Sequence, residues 1–283
     1  MSSKSYLSIY AKSFNWAGFF LPRDTYEKCS ALYDFCRVAD NIADDEENIQ
    51  IKDNKFKQFE NNFYQKNFDD PIVKNMWSII EEFNISLKII HDLFDGIRSD
   101  IKEKVRLTSR KDLIIYSYRV AGTVGLMMAK ILKVKKKNSL KSAIDLGIAM
   151  QLTNISRDVI EDSENNRYYI KENFNEIVST IKLADTFYEN SFYSIKDIPI
   201  KLRFSILVAR RIYRKIGYKI LDKKNIKNYK DSGKIYVSNF EKVLETFLSI
   251  YDLIKLSLIK KEKDRIQHDH ILINEELNLD ERI

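Results

Sequence analysis

Apolar residues recur every three or four positions along most of the 283-residue chain, which is the period of an amphipathic α-helix. A clear case is the segment 86–104, where the recurring apolar residues are Leu87, Ile90, Leu93, Ile97 and Ile101. The same pattern predicts seven further helices, over residues 24–43, 52–65, 109–132, 139–162, 177–194, 201–221 and 238–259.

Residues that form turns are scarce. The chain has 7 glycines and 3 prolines, well below the usual shares of about 7% and 5%. Because these residues mark turns, their scarcity indicates few turns and long elements. We therefore expect an all-α fold, with residues 1–262 forming a single helical domain and residues 263–283 forming a charged C-terminal tail. The chain is expected to fray from about residue 260.

The net charge is +7, with 48 Lys and Arg against 41 Asp and Glu. No DNA- or RNA-binding motif accompanies this charge, so we expect no nucleic-acid partner and interpret it as a surface bias. Mild attraction to an anionic membrane or substrate is the alternative. The sequence shows no signal-peptide pattern and no apolar run of about 18 residues. Cys29 and Cys36, two helical turns apart, are too distant to bridge. These features predict a cytoplasmic protein.

The first candidate for chemistry is an acidic stretch at the end of the helix predicted over residues 24–43. Asp40 and Asp44 are four positions apart, so their side chains stack on one helix face roughly 5–6 Å apart. Like charges at this spacing destabilise a helix unless they are neutralised. Mg²⁺ is suited to this, because it prefers carboxylate oxygens and shares them with substrate phosphates. Arg37, one turn before Asp40, is a candidate partner for these carboxylates or for a phosphate.

A second acidic pair ends the helix predicted over residues 139–162. Asp158 and Asp162 repeat the spacing, and Gln151 and Asn154 extend the polar ladder along the same helix. A single pair carries little weight, because acidic residues also solvate exposed helix ends. Two pairs, each with an arginine one or three residues before its first aspartate, favour a shared function.

Two facing acidic helices would suit the departure of a diphosphate. Divalent cations held by both pairs would neutralise the leaving group as its C–O bond breaks. The allylic cation left behind needs a dry pocket lined by aromatic rings, whose faces stabilise positive charge. The chain has 16 Phe and 16 Tyr, although ordinary core packing accounts for most of them individually.

Two glycines, Gly122 and Gly125, interrupt the helix predicted over residues 109–132. Glycine within a helix costs about 1 kcal/mol relative to alanine, so a reason for them is needed. A kink or the close approach of a ligand would supply one, but close packing against a neighbouring helix is the simpler interpretation.

In combination, these motifs resemble the squalene/phytoene synthase family. The resemblance extends in order and spacing to about residue 242. It rests on Lys12-Ser13-Phe14 and on residues 33–45, 95–98, 118–125, 151–162, 166–169 and 209–213. Two stretches resemble the bacterial phytoene synthase branch in particular, namely residues 125–128 and 210–214.

The resemblance implies an isoprenoid synthase helical bundle around a central cavity. Metal and diphosphate binding are implied for five polar residues of the two acidic helices, Asp40, Asp44, Asn154, Asp158 and Asp162. Further substrate-binding positions are implied at Lys12, Ser13, Phe14, Arg37, Gln151, Arg157, Tyr169, Tyr213 and Lys234. Tyr33 and Tyr118 match cavity tyrosines near the reacting carbons.

The implied reaction joins two prenyl diphosphates head to head. One substrate ionises and alkylates the other to give a cyclopropylcarbinyl diphosphate, which ionises again, rearranges and loses a proton to give a conjugated triene. The leading case is phytoene from two geranylgeranyl diphosphates, in carotenoid biosynthesis. Mg²⁺, with Mn²⁺ as an alternative, is the implied cofactor, and no nicotinamide cofactor is expected. Because the product is a hydrocarbon, we expect peripheral membrane association and a downstream desaturase as a candidate partner.

Three alternatives stay open. The enzyme could instead use farnesyl diphosphate, making presqualene diphosphate, dehydrosqualene or squalene. A non-catalytic homologue acting as an assembly factor would be expected to lose the acidic pairs, and a plain helical scaffold leaves both pairs unexplained. The chain also departs from the family pattern at Ala11, Asn41 and Lys234, where relatives often carry a hydroxyl residue, an aspartate and an arginine.

Overall fold

The computed structural model describes residues 12–258 and 268–283. Its first seven helices are α1 (Lys12–Gly18), α2 (Arg23–Asp44), α3 (Ile49–Tyr64), α4 (Pro71–Phe83), α5 (Leu87–Arg98), α6 (Arg110–Ser117) and α7 (Thr123–Ile131). The next six are α8 (Lys137–Glu164), α9 (Phe174–Phe192), α10 (Ile200–Leu221), α11 (Ile226–Asp231), α12 (Asn239–Leu258) and α13 (His268–Asn274). The predicted all-α fold is confirmed.

Short irregular elements complete the described chain. A π-helical turn, Tyr118–Gly122, joins α6 to α7, and 3₁₀ turns cover Tyr193–Asp197 and Leu279–Glu281. A parallel pair of two-residue strands, β1 (Val105–Arg106) and β2 (Arg167–Tyr168), is the one sheet among the described residues. No helix in the described ranges is long and apolar enough to cross a bilayer.

All eight predicted helices are present, and the main differences lie at their ends. The helix predicted over residues 86–104 stops at Arg98, because the chain then turns and enters β1. The serine before α6 forms a capping box, in which Ser109 and Asp112 satisfy each other's backbone N–H groups. Helix α4 has no counterpart among the predicted helices, although Asp70 caps it and Pro71 occupies its first position.

Helices α7 and α8 pack at backbone contact distance. A Cβ atom on Gly125 would lie 2.3 Å from the carbonyl oxygen of Ala143, and one on Gly147 would lie 2.2 Å from that of Ala121. Only glycine fits at either position, so the interpretation of Gly125 as a close-packing residue is confirmed. This contact holds the polar ladder of α8 against the middle of the bundle.

The C-terminal residues pack against the bundle, so the prediction that they fray is wrong for residues 268–283. Ile273 and Leu279 are fully buried, and Nε2 of His270 lies 2.5 Å from Oδ1 of Asp145 on α8. Arg282 donates two hydrogen bonds to the buried Asp92. The charged composition suggested a solvated tail, but several of these charges have partners on the bundle. Residues 259–267 lie outside the described part of the chain.

Candidate active site

Helix α2 presents Asp40 and Asp44 in its last two turns, between two arginines. Nη1 of Arg37 lies 2.6 Å from Oδ2 of Asp40, and its Nη2 lies 3.9 Å from Oδ2 of Asp44. Arg167, which β2 supplies from the other half of the chain, donates to Oδ1 of Asp44 at 2.6 Å and to the carbonyl of Ala43 at 3.0 Å. The first acidic pair therefore lies between two guanidinium groups, which could also bind an anion.

The side chain of Asp40 is partly exposed near the end of α2. Its side chain keeps 44% of its surface accessible, yet desolvation by the surrounding protein, reinforced by the charge of Asp44, raises its pKa to about 7. Arg37 opposes this rise. A carboxyl that is accessible but poorly solvated is typical of a functional site.

The second pair, on α8, is framed in the same way. Arg157 donates two hydrogen bonds to Asp158, at 2.8 Å and 2.5 Å. Nζ of Lys234 lies 2.7 Å from Glu161 and 3.8 Å from Asp158. Burial and the charge of Asp158 raise the pKa of Asp162 to about 8. The lysine that replaces a family arginine thus lies beside the second acidic pair.

Arg167 lies near both acidic helices. The positive charge of Arg167 lowers, and the negative charge of Asp100 raises, the pKa of both Asp40 on α2 and Asp162 on α8. Arg167 donates to Asp44 on α2 and lines a small cavity together with Asp162 on α8, so the two acidic pairs face a common region. The pairing of β1 with β2 sets this geometry, because it fixes the backbone next to Arg167.

Asp100 belongs to a buried cluster with two tyrosines. The hydroxyl groups of Tyr116 and Tyr169 donate to its two carboxylate oxygens at 2.7 Å and 2.8 Å. The two rings stack with centroids 4.7 Å apart. Burial raises the pKa of Asp100 to about 6, although both hydrogen bonds lower it. The hydroxyl of Tyr169 is therefore used to bind Asp100, a neighbour of the acidic pairs in the electrostatics of the site.

Three residues of this region, Asp100, Tyr116 and Arg167, were not among the predicted site residues. Arg167 belongs to the stretch at residues 166–169 that carries part of the family resemblance, three residues after the end of α8, but no role was predicted for it. Asp100 and Tyr116 belong to no motif at all. Their importance depends on contacts between segments more than 50 residues apart, which local spacing does not reveal.

The polar ladder of α8 offers an oxygen without a partner. Nδ2 of Asn154 lies 3.5 Å from Oε1 of Gln151, while its buried Oδ1 has no hydrogen-bond partner among the described residues. A buried amide oxygen without a hydrogen-bond partner can coordinate a cation or accept a hydrogen bond from a substrate.

These oxygens suit a metal that is shared with a substrate. Among the described residues, no three His, Cys, Asp or Glu side chains converge on one point, so the protein alone builds no complete cage. Mg²⁺ commonly takes one or two carboxylates and completes its shell with phosphate oxygens and water. The donors that fit this role are Asp40, Asp44, Asn154, Asp158 and Asp162, and Mn²⁺ accepts the same oxygen ligands.

Aromatic residues meet beside the second acidic pair. The rings of Phe14 on α1 and Tyr213 on α10 lie 4.9 Å apart. Burial raises the pKa of Tyr213 to about 12, with opposing contributions from Arg157 and Asp158. Tyr33 on α2 also lies within electrostatic range of Tyr213. Phe14 and Tyr213 are thus brought together, with the half-buried Ser13 next to Phe14 in sequence, while Tyr33 lies on α2 two turns before Asp40. The side chain of Lys12 lies outside the described part.

Tyr118 occupies a different environment from the other predicted site residues. It is fully buried in the π-helical turn, and its hydroxyl donates to Oδ2 of Asp92 at 2.8 Å. Asp92 is in turn bound by Arg282. No described contact links Tyr118 to either acidic pair, so its predicted role near the reacting carbons stays a prediction.

Comparison with known proteins identifies the family. A family model described as squalene/phytoene synthase matches residues 8–176. The chain is 28% identical over 247 residues to the 15-cis-phytoene synthase of Enterobacter agglomerans, covering 76% of this chain and 83% of the relative. It is similar to a solved dehydrosqualene synthase in complex with ligand, with TM-score 0.75, 29% identity and coverage of 89% and 95% of the two chains.

A more distant solved structure shares the fold. The squalene synthase of Alicyclobacillus acidocaldarius is 18% identical, with TM-score 0.65 over 79% of this chain and 91% of its own. The family match spans both acidic pairs, and the bundle that positions them is the one seen in these solved enzymes. The chain therefore belongs to the squalene/phytoene synthase family, and it is a prenyltransferase whose substrates are prenyl diphosphates joined head to head.

Proposed function

We propose that this enzyme joins two geranylgeranyl diphosphates to form phytoene and that it requires Mg²⁺. The observation that carries the proposal is that Arg167 brings the two acidic pairs to one region. It donates to Asp44 of the pair on α2 at 2.6 Å and lines a small cavity together with Asp162 of the pair on α8. The choice of the twenty-carbon substrate is supported by relatives named phytoene synthase, such as the one from Enterobacter agglomerans.

The basic side chains of the site would bind and orient the two diphosphates. Arg37 and Arg167 frame the pair on α2, and Arg157 and Lys234 frame the pair on α8. Arginine binds phosphate oxygens through two parallel N–H groups, whereas Lys234 acts as a point charge. When bound, Mg²⁺ would supply the charge neutralisation that a departing diphosphate needs.

The aromatic residues would protect the carbocation that remains. Phe14 and Tyr213 are in ring contact, Tyr33 lies on the helix of the first acidic pair, and aromatic ring faces stabilise positive charge. The hydroxyl of Tyr213 is neutral near pH 7, because the pKa of tyrosine is ordinarily about 10 and burial raises it further, to about 12. A neutral hydroxyl traps the cation less readily than a phenolate would. A desaturase that consumes the released triene is a candidate partner implied by this proposal.

A second candidate substrate is farnesyl diphosphate. It is favoured by the likeness to the solved dehydrosqualene synthase, at 29% identity and TM-score 0.75. The two substrates differ by five carbons, and each buried methylene contributes only about 0.8 kcal/mol. A site long enough for the twenty-carbon chain can therefore accept the shorter one, and discrimination has to be measured.

The test is a comparison of kcat/KM for the two diphosphates with purified protein, Mg²⁺ and no reductant. We expect the higher value for geranylgeranyl diphosphate, and loss of turnover when the divalent cation is chelated. A clear preference for farnesyl diphosphate, or product that appears only when NADPH is added, would replace the phytoene assignment with the second candidate.

A further inference from the structure

Helix α12 directs its apolar residues towards solvent. Nine of its 20 residues are large, apolar and 39–79% exposed, namely Phe240, Val243, Leu244, Phe247, Leu248, Ile250, Tyr251, Ile254 and Leu258. Six of them, from Phe240 to Leu258, follow each other at intervals of three or four and form one straight stripe. At 1.5 Å per residue, that stripe is roughly 27 Å long.

The opposite face of α12 is polar and buried, which reverses the usual arrangement of a surface helix. Glu245 and Asp252 both accept hydrogen bonds from Arg211 on α10, at 2.9 Å and 2.8 Å, and Glu241 accepts from Lys219 at 2.7 Å. Glu245 and Asp252 are buried. These ion pairs fix the rotation of the helix, so the outward apolar stripe is built into the fold.

The apolar surface continues beyond α12. Nε1 of Trp16 on α1 donates to Oγ1 of Thr246 at 3.0 Å, and Phe19, one turn after Trp16, is 76% exposed. Tyr236, four residues before Phe240, is 72% exposed. An exposed apolar stripe as long as that of α12 marks an interaction site on a folded chain.

The charges around the stripe indicate what it contacts. Among the exposed residues of α12 none is acidic, because its three carboxylates turn inward, and Lys255 is the one exposed charge on the helix. The sequence that follows the helix adds four basic and two acidic residues, Lys260, Lys261, Glu262, Lys263, Asp264 and Arg265. The whole chain carries +7. An apolar helix face next to basic residues is complementary to an anionic lipid surface.

We propose that α12 is a lipid-docking helix that lies in the plane of an anionic bilayer, with the stripe from Phe240 to Leu258 among the acyl chains. The proposal uses the proposed function only in that the product is a hydrocarbon, which needs an apolar phase to enter. α1 connects the two regions, because Phe14 contacts Tyr213 of the site while Trp16 contacts α12. The lipid surface would thus lie next to the aromatic end of the active site.

The test is flotation of the full-length protein with vesicles of phosphatidylcholine containing about one third phosphatidylglycerol, with phosphatidylcholine vesicles for comparison. The variant carries Phe247→Asp and Ile254→Asp. The matched control is Phe68→Asp, which alters a phenylalanine that is 47% exposed and far from α12 in sequence. We expect wild type and control to float with the anionic vesicles and the double variant to lose roughly tenfold or more of its binding.

Two control measurements separate loss of lipid binding from loss of activity and from loss of folding. Turnover of the double variant in detergent should equal that of wild type, so a failed function assignment and a failed docking site give different results. Thermal unfolding should show that the double variant is folded. The proposal is overturned if wild type fails to float, if the double variant floats as well as wild type, or if sedimentation shows a dimer that the double variant dissociates.

Discussion

The acidic side chains of the site are held in an environment that opposes their charge. Desolvation and neighbouring carboxylates raise the pKa of Asp40 to about 7 and that of Asp162 to about 8. The fold tolerates this cost because arginines partly compensate it. Such an arrangement contributes little to stability and is expected where a cation or substrate supplies the missing neutralisation.

We expect Asp40→Asn and Asp158→Asn each to reduce kcat by about a hundredfold or more, the size of effect seen when one preorganised electrostatic group is lost. Both variants should unfold at temperatures close to that of wild type, because neither side chain is part of the apolar core. The matched control is Glu164→Gln, an exposed carboxylate in the last turn of the same helix α8. Normal turnover in both aspartate variants would show that the pairs are surface features.

A second prediction concerns Asp100 and pH. Its pKa in the folded protein is raised from 3.8 to about 6, so the fold favours the protonated form and this contribution is lost as pH rises through that interval. Asp100→Asn keeps the shape without titrating. The stability of the variant relative to wild type should therefore increase by up to roughly 3 kcal/mol between about pH 4 and pH 6.5.

Denaturant unfolding of both proteins across this pH range provides the measurement. Asp40 and Asp162 titrate in both proteins, and their contributions differ only through the charge of Asp100, which raises the pKa of both groups in wild type. Parallel stability curves for wild type and Asp100→Asn would contradict the prediction.

At the scale of elements, two contacts hold the site helices in place. One is the backbone contact between α7 and α8 at Gly125 and Gly147. The other is the C-terminal segment, which attaches to α5 through Arg282 and Asp92 and to α8 through His270 and Asp145. Both contacts join α8 to other elements and not to itself, so each is expected to control the packing of α8 more than its local helicity.

We expect Gly147→Ala to destabilise the fold by about 1–3 kcal/mol, because the new methyl group would force α7 and α8 apart. The matched control is Gly217→Ala on α10, where the nearest atom to an added Cβ is a side-chain carbon of Ile181 at 3.3 Å. That variant should be neutral or gain up to about 1 kcal/mol from helix propensity. Equal stability of the two variants in denaturant titrations would contradict the packing argument.

Removal of the guanidinium at position 282 tests the C-terminal attachment. In Arg282→Met, the fully buried Asp92 loses both charged hydrogen bonds, which should cost about 3–5 kcal/mol. A second change, Asp92→Asn, removes the unpaired charge but still accepts from Tyr118, so the double variant should recover part of the loss. An Arg282→Met protein as stable as wild type would show that residues 268–283 attach only weakly.

At the scale of the whole molecule, the sequence predicts what depends on local spacing. The helical period and the stacking of Asp40 on Asp44 both arise within a few residues. Arg167 and Asp100 escaped prediction because their meeting depends on the pairing of β1 with β2, two segments about 60 residues apart. The spacing of apolar residues also identifies α12 as amphipathic, but it does not show which face of the helix packs against the bundle.

The same limit explains the C-terminal segment. Its high charge suggested that this segment would be solvated. Ile273 and Leu279 are buried instead, and the nearby His270 and Arg282 form hydrogen bonds with Asp145 and Asp92 of the bundle. Family resemblance supplied the roles of the acidic pairs, and the structure adds the residues that support them. Substrate length depends on the shape of the apolar part of the site, which residue patterns do not determine.

The most direct test of this account is to identify the hydrocarbon that the purified enzyme makes from geranylgeranyl diphosphate and Mg²⁺ without reductant. We predict a forty-carbon conjugated triene, phytoene, detected by its absorbance and mass, and absent with Asp40→Asn. No hydrocarbon from geranylgeranyl diphosphate, together with a thirty-carbon product from farnesyl diphosphate, would contradict the assignment.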